Sequence, residues 1–405
     1  MRQLAKRTGA GIAAAVAWVA LAAGAAGCDA VPLGDGAKAR SPESAIKVVP
    51  EDGAKNVGAD RKVAVSVREG RIERVRVVRI ADGRAQSVPG GISGDGRNWS
   101  SGAGRLTGAA TYTVDAVTTD GNGHRRARHT TFTTVVPQRR FIGYFTPENR
   151  SVVGTGMIVS FHFNRPVVNH RNRAAVEHAI TVTADPPVPV AGHWFGSDRL
   201  DFRPREYWRP GTAVTVAMRL RHVLVAPGVR GIQHKTIGFR VGRSQVSLVD
   251  AATHTMTVQR DGALLTTLPV TAGAPDHTTY NGKMVVSDKY EVTRMNGDTV
   301  GFGGEYDIPD VPHALRLTRS GTFLHGNYWA APSVFGATNT SHGCVGLRDV
   351  RGGSPLSPAG WFFDRTLIGD VIEVINSHDT QVAPDNGLGG WNLGWQQWTA
   401  GSATG

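Results

Sequence analysis

Runs in which apolar and polar residues alternate recur along most of this chain, and they restrict it to strands. KVAVSVREGRIERVRVVRI (62–80) alternates on both sides of Glu69-Gly70, and TYTVDAVTTDGNGHRRARHTTFTTV (111–135) does so around Asp120-Gly121-Asn122-Gly123. A period of two sends successive side chains to opposite faces, and the glycine-bearing breaks are turn chemistry, so each stretch reads as a hairpin. Short strands at this spacing make a small β-sandwich over 46–136. The stretch 137–243 repeats the order: Trp99, TYTV (111–114) and Phe132 are echoed by Trp194, TAVTV (212–216) and Phe239. Two related sandwiches are expected. Neither carries a His/Asp/Ser or Cys grouping that suggests chemistry, so they read as spacers or binding surfaces.

The 405 residues exceed what one core can bury, and a third unit follows at 244–376. VSLVDAATHTMTVQRDGALLTTLPVTAG (246–273) reads as a hairpin turning at Asp261-Gly262. PHALRLTRSGTFLHG (312–326) ends a strand at His325. SPAGWFFDRTLI (357–368) is the best helix candidate, with Ser357 as N-cap and Pro358 in the first turn, and DVIEVI (370–375) closes as a strand. The tail 377–405 gathers Trp391, Trp395 and Trp398, which are expected to pack back on this third unit rather than stand in water.

The N-terminus bears on compartment. MRQLAKR is basic, GAGIAAAVAWVALAAGAAG is short and apolar, and Ala25-Ala26-Gly27-Cys28 resembles a bacterial lipobox. Residues 1–27 therefore read as an export signal, Cys28 as the lipidated first residue of the mature chain, and 28–45 as a flexible tether; the competing reading is a cut by ordinary signal peptidase nearby, which leaves Cys28 unmodified. The expected location is the outer face of the cytoplasmic membrane, facing the wall. The formal charge of +12 falls to +9 once Arg2, Lys6 and Arg7 leave with the signal. That excess favours anionic surfaces such as lipid head groups or wall polymers; no nucleic-acid motif accompanies it.

With Cys28 lipidated, Cys344 has no partner for a disulfide and becomes a candidate reactive thiol. It sits in HGNYWAAPSVFGATNTSHGCVGLRDV (325–350), two residues after His342 and nineteen after His325. Either histidine can raise the thiolate fraction: His342 from the same backbone stretch, His325 from a separate strand across the sheet. Gly343 and Gly326 allow close backbone approach, and the amides of Gly343 and Cys344 suit an oxyanion. Two other readings compete. A core cysteine fits the polar, glycine-flanked SHGC poorly. A metal site of His325, His342, Cys344 and His313 follows no standard zinc spacing.

The segment HG-N-Y-W…TNTSHGCVGL resembles the active-site signature of L,D-transpeptidases of the YkuD type. TYNGKMVVSDKY (279–290) is similar to the family's strand before the substrate loop, SPAGWFFDRTLIGDVIEVIN to its helix and last strand, and GLGGWNLGWQQW to the tryptophan-bearing extension of actinobacterial members. Those members also carry two N-terminal immunoglobulin-like domains and commonly a lipobox. The fold the resemblance implies is mainly β: two immunoglobulin-like sandwiches and a β-rich catalytic domain with a short helix and a C-terminal extension. It implies Cys344 as nucleophile, His325 as general base, the Gly326 carbonyl as orienter of the imidazole, and Ser341, His342 and Gly343 lining the site. Met295, Tyr306, Trp329, Asn339, Gly346 and Arg348 are implied substrate-binding residues. Many actinobacterial members have Asn where Gly346 stands, so substrate choice is expected to differ there, with Arg348 taking part of that role.

The implied reaction is peptidoglycan transpeptidation. The thiolate takes the third residue of a donor tetrapeptide stem, releases D-Ala and passes the acyl group to an acceptor amine, giving a 3→3 cross-link. No cofactor and no metal are expected, and carbapenems are expected to acylate Cys344. A sortase is the enzymatic rival, but sortases carry a TLxTC-type strand rather than SHGC. A non-catalytic wall-binding lipoprotein is the rival from another class.

Overall fold

The structure is a computed structural model that describes residues 46–405 apart from 82–83, 103, 105, 137–138 and 298–303. The export signal, Cys28 and the tether lie outside the described residues. No described helix is long and apolar enough to cross a membrane.

The first sandwich packs two four-stranded sheets. One runs Ile46–Val49, Ala64–Val67, Asn98–Ser101, Gly90–Ile92; the other runs Arg84–Ser87, Arg71–Ala81, Thr111–Thr119, Arg125–Thr133. Alternation puts Trp99, Tyr112, Val114 and Phe132 inside, with Tyr112 and Phe132 stacked at 5.0 Å. Gly90 is small for a reason: a Cβ there would stand 2.1 Å from the Trp99 ring.

The second sandwich again has two four-stranded sheets, with Trp194 and Phe239 in its core. The alternating pattern gave no sign of its helix, His170–His178, which is capped by the Asn169 side chain accepting from the Arg171 and Asn172 amides. The helix places Glu177 in the interior. There it accepts from Trp194 Nε1 at 3.0 Å and from the Ala403 amide at 2.8 Å.

That last contact corrects the expectation for the tail. Its tryptophans seat mainly on the second sandwich, not on the catalytic unit. Trp398 is fully buried and donates to the Ala191 carbonyl, and Trp391 donates to the Gly156 carbonyl at 2.7 Å. The reason is Arg203, whose guanidinium lies over the rings of Trp391, Trp395 and Trp398 at 4.6, 5.5 and 4.4 Å. A buried cation needs aromatic faces and carbonyls around it, and the tail supplies both, including the Leu393 carbonyl at 2.9 Å. The rest of the tail does meet the third unit: Asn392 pairs with both backbone groups of Lys283, the Val382 amide donates to the Asn281 carbonyl, and Asn386 bonds Ser320. The tail is a clamp between two domains.

The catalytic unit is one nine-stranded sheet, in the order Gly282–Val285, Val371–Ile375, Gln245–Asp250, Thr255–Arg260, Ala263–Thr271, Val345–Arg348, Phe323–Asn327, Asp307–Arg316, Asp288–Asn296. The turn at Asp261-Gly262 stands where the sequence put it, with both residues at positive φ. The helix is Pro358–Arg365, with the Ser357 side chain accepting from the Gly360 amide, and it buries Phe362 and Phe363 on the sheet. The run 312–326 divides into two strands around Arg319–Gly321, so His325 sits within a strand. All but two neighbouring pairs are antiparallel; Gln245–Asp250 runs parallel to Val371–Ile375, and Phe323–Asn327 to Val345–Arg348.

The first sandwich leans on the hairpin Asp288–Asn296/Asp307–Arg316. Arg74 pairs with Glu291 at 2.8 Å, and His129, held by Asp115, meets the Tyr290 ring edge-on at 4.9 Å. The ion pair is exposed and worth little, so the ring contact carries more of this interface. Between them lies a cavity of about 650 Å³ that reaches Gly321 and Phe323.

Because Trp398 is an interior side chain of the clamp, Trp398→Ala is expected to cost about 3–5 kcal/mol of stability. Thermal unfolding should show the loss, with the fold of the catalytic unit retained.

Candidate active site

The site is built on the parallel pair. Parallel strands need a long crossover, and residues 328–344 are that crossover, which is why His325 and Cys344 stand nineteen apart. The register sets Leu324 beside Val345 and His325 beside Gly346. Carried back one residue, it sets Phe323 beside Cys344, so cysteine and histidine project from the same face of the sheet. The thiol accepts from the Phe323 amide at 3.4 Å and donates to the Gly321 carbonyl at 3.7 Å. Met295, Tyr306 and Phe323 pack in the same cluster.

His325 is buried, and its Nδ1 lies 3.0 Å from the Gly326 carbonyl. A carbonyl only accepts, so Nδ1 carries the proton and Nε2 presents a lone pair. The Trp329 ring stacks on the imidazole at 5.5 Å and 18° and is itself partly exposed. Asn327 Oδ1 accepts from the Trp329 and Ala330 amides, which fixes the turn that brings the indole over.

Burial dominates both ionisations. It pushes the Cys344 thiol up to about 11 and the His325 imidazole down to about 4, the latter against opposing help from the Gly326 carbonyl and Asp349. Both shifts favour a neutral thiol and a neutral imidazole at rest.

The glycines have steric causes. A Cβ on Gly326 would stand 2.3 Å from Asp349 Oδ2, and one on Gly346 would stand 2.9 Å from Thr271 Cγ2 and 3.4 Å from Asn327. A side chain at 346 would therefore meet Thr271 first, with Asn327 in contact beside it. Arg348 lies two residues further along the same face and is exposed.

Ser341 donates to the Cys344 carbonyl and accepts from the Gly343 amide at 3.2 Å. Gly343 holds φ +102°, a conformation reserved for glycine. Its amide is therefore turned onto Ser341, which leaves the Cys344 amide as the candidate oxyanion donor of the two. Asn339 is not brought to the substrate face. Its side chain bonds the Ala272 amide, His254 and the Ala251 carbonyl, pinning the crossover to the strand Ala263–Thr271.

Three groups were missed by sequence reasoning. Asp349 is buried and pairs with His313 Nδ1 at 2.7 Å, which takes His313 out of any set with Cys344. His277 and Glu305 meet His342 beside the cysteine. No spacing in the sequence links these residues, since they come from separate loops.

A nine-stranded sheet carrying a thiol and an imidazole on adjacent parallel strands, behind two sandwiches, is a transpeptidase architecture by its likeness to known proteins. The L,D-transpeptidase catalytic domain (YkuD) matches residues 244–374, and the bacterial Ig domain matches residues 54–224. L,D-transpeptidase 2 of Mycobacterium tuberculosis is 33% identical over 357 residues, covering 87% of this chain and 83% of that protein. L,D-transpeptidase 5 of the same organism is 28% identical over 361 residues, 87% of this chain and 76% of that one. A solved L,D-transpeptidase in complex with imipenem shares 30% identity over 59% of this chain and all of its own, with a TM-score of 0.47. The chain belongs to the L,D-transpeptidase family.

The neutral resting pair has a readable pH signature. His325 stays uncharged as pH falls past the ordinary histidine range and charges only near about 4. Alkylation of Cys344 by iodoacetamide should therefore climb with pH without a plateau between about pH 5 and 9. A plateau with its midpoint near 6.5 would instead mean a resting thiolate–imidazolium pair.

Proposed function

We propose that the chain forms 3→3 peptidoglycan cross-links through an acyl-enzyme on Cys344. The observation that carries this reading is the tautomer of His325: with Nδ1–H spent on Gly326, the bare Nε2 is a general base on the cysteine's face. Sulfur attacks the carbonyl carbon of the third stem residue, a diaminopimelate, as its proton passes to Nε2. The oxyanion forms near the Cys344 amide. Collapse breaks the peptide bond to D-Ala, whose nitrogen takes the proton from His325. An acceptor amine then attacks the thioester and loses its proton to Nε2, and sulfur recovers that proton on leaving. Peptide-bond energy is kept in the thioester, so the cycle needs no nucleotide.

Trp329 and Tyr306 flank the entrance as walls for the stem, and Met295 backs the sulfur. Carbapenems fit the same chemistry, since their strained ring carbonyl is an acyl donor whose leaving nitrogen stays tethered. The two sandwiches act as a spacer, and we place the chain as an exported lipoprotein anchored through Cys28 outside the cytoplasmic membrane.

Intact-mass spectrometry on the compact unit Pro42–Gly405 tests the chemistry. With meropenem, or with a disaccharide-tetrapeptide, wild type should gain one acyl mass and Cys344→Ala none; the tetrapeptide should release D-Ala. His325→Ala should slow acylation by at least about 100-fold. A folded, titratable thiol that takes no acyl group would turn the reading toward wall binding without turnover. For the anchor, labelled palmitate should enter the full chain in cells and be absent from Cys28→Ala; equal labelling of the two would defeat it.

A further inference from the structure

Three side chains without a part in that chemistry converge beside the cysteine. His277 comes from the loop after Ala263–Thr271, Glu305 from just before Asp307–Arg316 in the hairpin, and His342 from the crossover. Glu305 Oε2 lies 3.2 Å from His277 Nε2 and 3.3 Å from His342 Nε2. The two imidazoles stack at 4.9 Å with 25° between their planes. One ligand atom from each residue lies within 4.8 Å of the others.

We propose that His277, Glu305 and His342 form a site for a divalent transition-metal ion of the zinc class, and that occupancy latches the hairpin onto the loop that carries Cys344. Two imidazole nitrogens and one carboxylate oxygen are a borderline donor set, which selects zinc-like ions over magnesium or calcium. Zinc bonds of about 2.0–2.1 Å put tetrahedral ligands about 3.3 Å apart, and both N···O separations already have that value. Two of the three edges are thus in place, and the imidazole nitrogens, within 4.8 Å of each other, would draw together on the ion. All three side chains are 30–47% exposed, so an ion has a path in and a fourth position open to water or substrate.

The grouping differs from the metal set read from the sequence. His325 is committed to the Gly326 carbonyl and His313 to Asp349, whereas His342 turns to Glu305. Without an ion, a carboxylate between two imidazoles is an ordinary polar bridge that a solvent-exposed loop tolerates. With one, His342 and Glu305 are tied together, and Tyr306, whose ring already lies 5.0 Å from His342, is held over the thiol. Stem access to Cys344 then falls. This consequence rests on the acyl-transfer reading; the metal site itself does not.

The test uses the full chain in detergent, stripped with chelator and titrated with zinc chloride by calorimetry. Wild type and Cys344→Ala should each bind one ion with the same affinity, whereas His277→Ala and the near-isosteric Glu305→Gln should bind at least tenfold more weakly. No binding by wild type overturns the site. Binding lost in Cys344→Ala but kept in Glu305→Gln also overturns it, since the thiol would then be the ligand. Cobalt(II) in place of zinc should give tetrahedral visible bands without a thiolate charge-transfer band. In the kinetic arm, zinc should slow meropenem acylation of wild type at least tenfold, chelator should reverse this, and His277→Ala should be indifferent. Binding without inhibition overturns the latch alone. A wild type that is never acylated defeats the proposed reaction and leaves the calorimetric result standing.

Discussion

The parallel pairing of Phe323–Asn327 with Val345–Arg348 is the constraint on which the rest of the site depends. An antiparallel hairpin would have joined histidine and cysteine by a short turn, with no loop to line the site. The parallel arrangement forces a crossover of 328–344, and that loop delivers Trp329, Ser341, His342 and Gly343 to the same face. Side-chain packing completes it. Asp349 packs over Gly326 and Thr271 over Gly346, so a side chain at either position would have to displace them.

Burial gives this pair a particular character. Burial raises the thiol to about 11 and lowers the imidazole to about 4, which favours the uncharged forms and spares the protein the cost of desolvating two ions. The imidazole is oriented by a backbone carbonyl rather than by a carboxylate. A free thiol is open to oxidants, and the neutral form is the less reactive one. In the proposed reaction, ion-pair character develops only as the substrate carbonyl accepts the sulfur.

Much of this was legible in the sequence, for reasons tied to local chemistry. Strand alternation, the Asp261-Gly262 turn, the Ser357-Pro358 helix start and the SHGC segment all depend on residues close together in the chain. What was missed depends on distance. The tail's second partner, beside the third unit that the sequence suggested, follows from Arg203, almost 190 residues before Trp391, and a buried guanidinium leaves no mark in a hydrophobic pattern. The helix His170–His178 is short and polar along most of its length, with only Val176 and Glu177 buried, so no apolar stripe announced it. Asn339 was read as a substrate contact from its place beside the signature, yet its amide is used in holding the loop. Likewise, Glu305 and His277 meet His342 only because hairpin, loop and crossover fold onto one point.

The account stands most directly on the protonation of His325 in the resting enzyme. Nitrogen-15 chemical shifts of that ring, assigned by comparison with His325→Gln and followed between about pH 5 and 8, report it without substrate. The account predicts a neutral ring throughout, protonated at Nδ1 and bare at Nε2. A doubly protonated ring in that range, or a proton resident on Nε2, would contradict it.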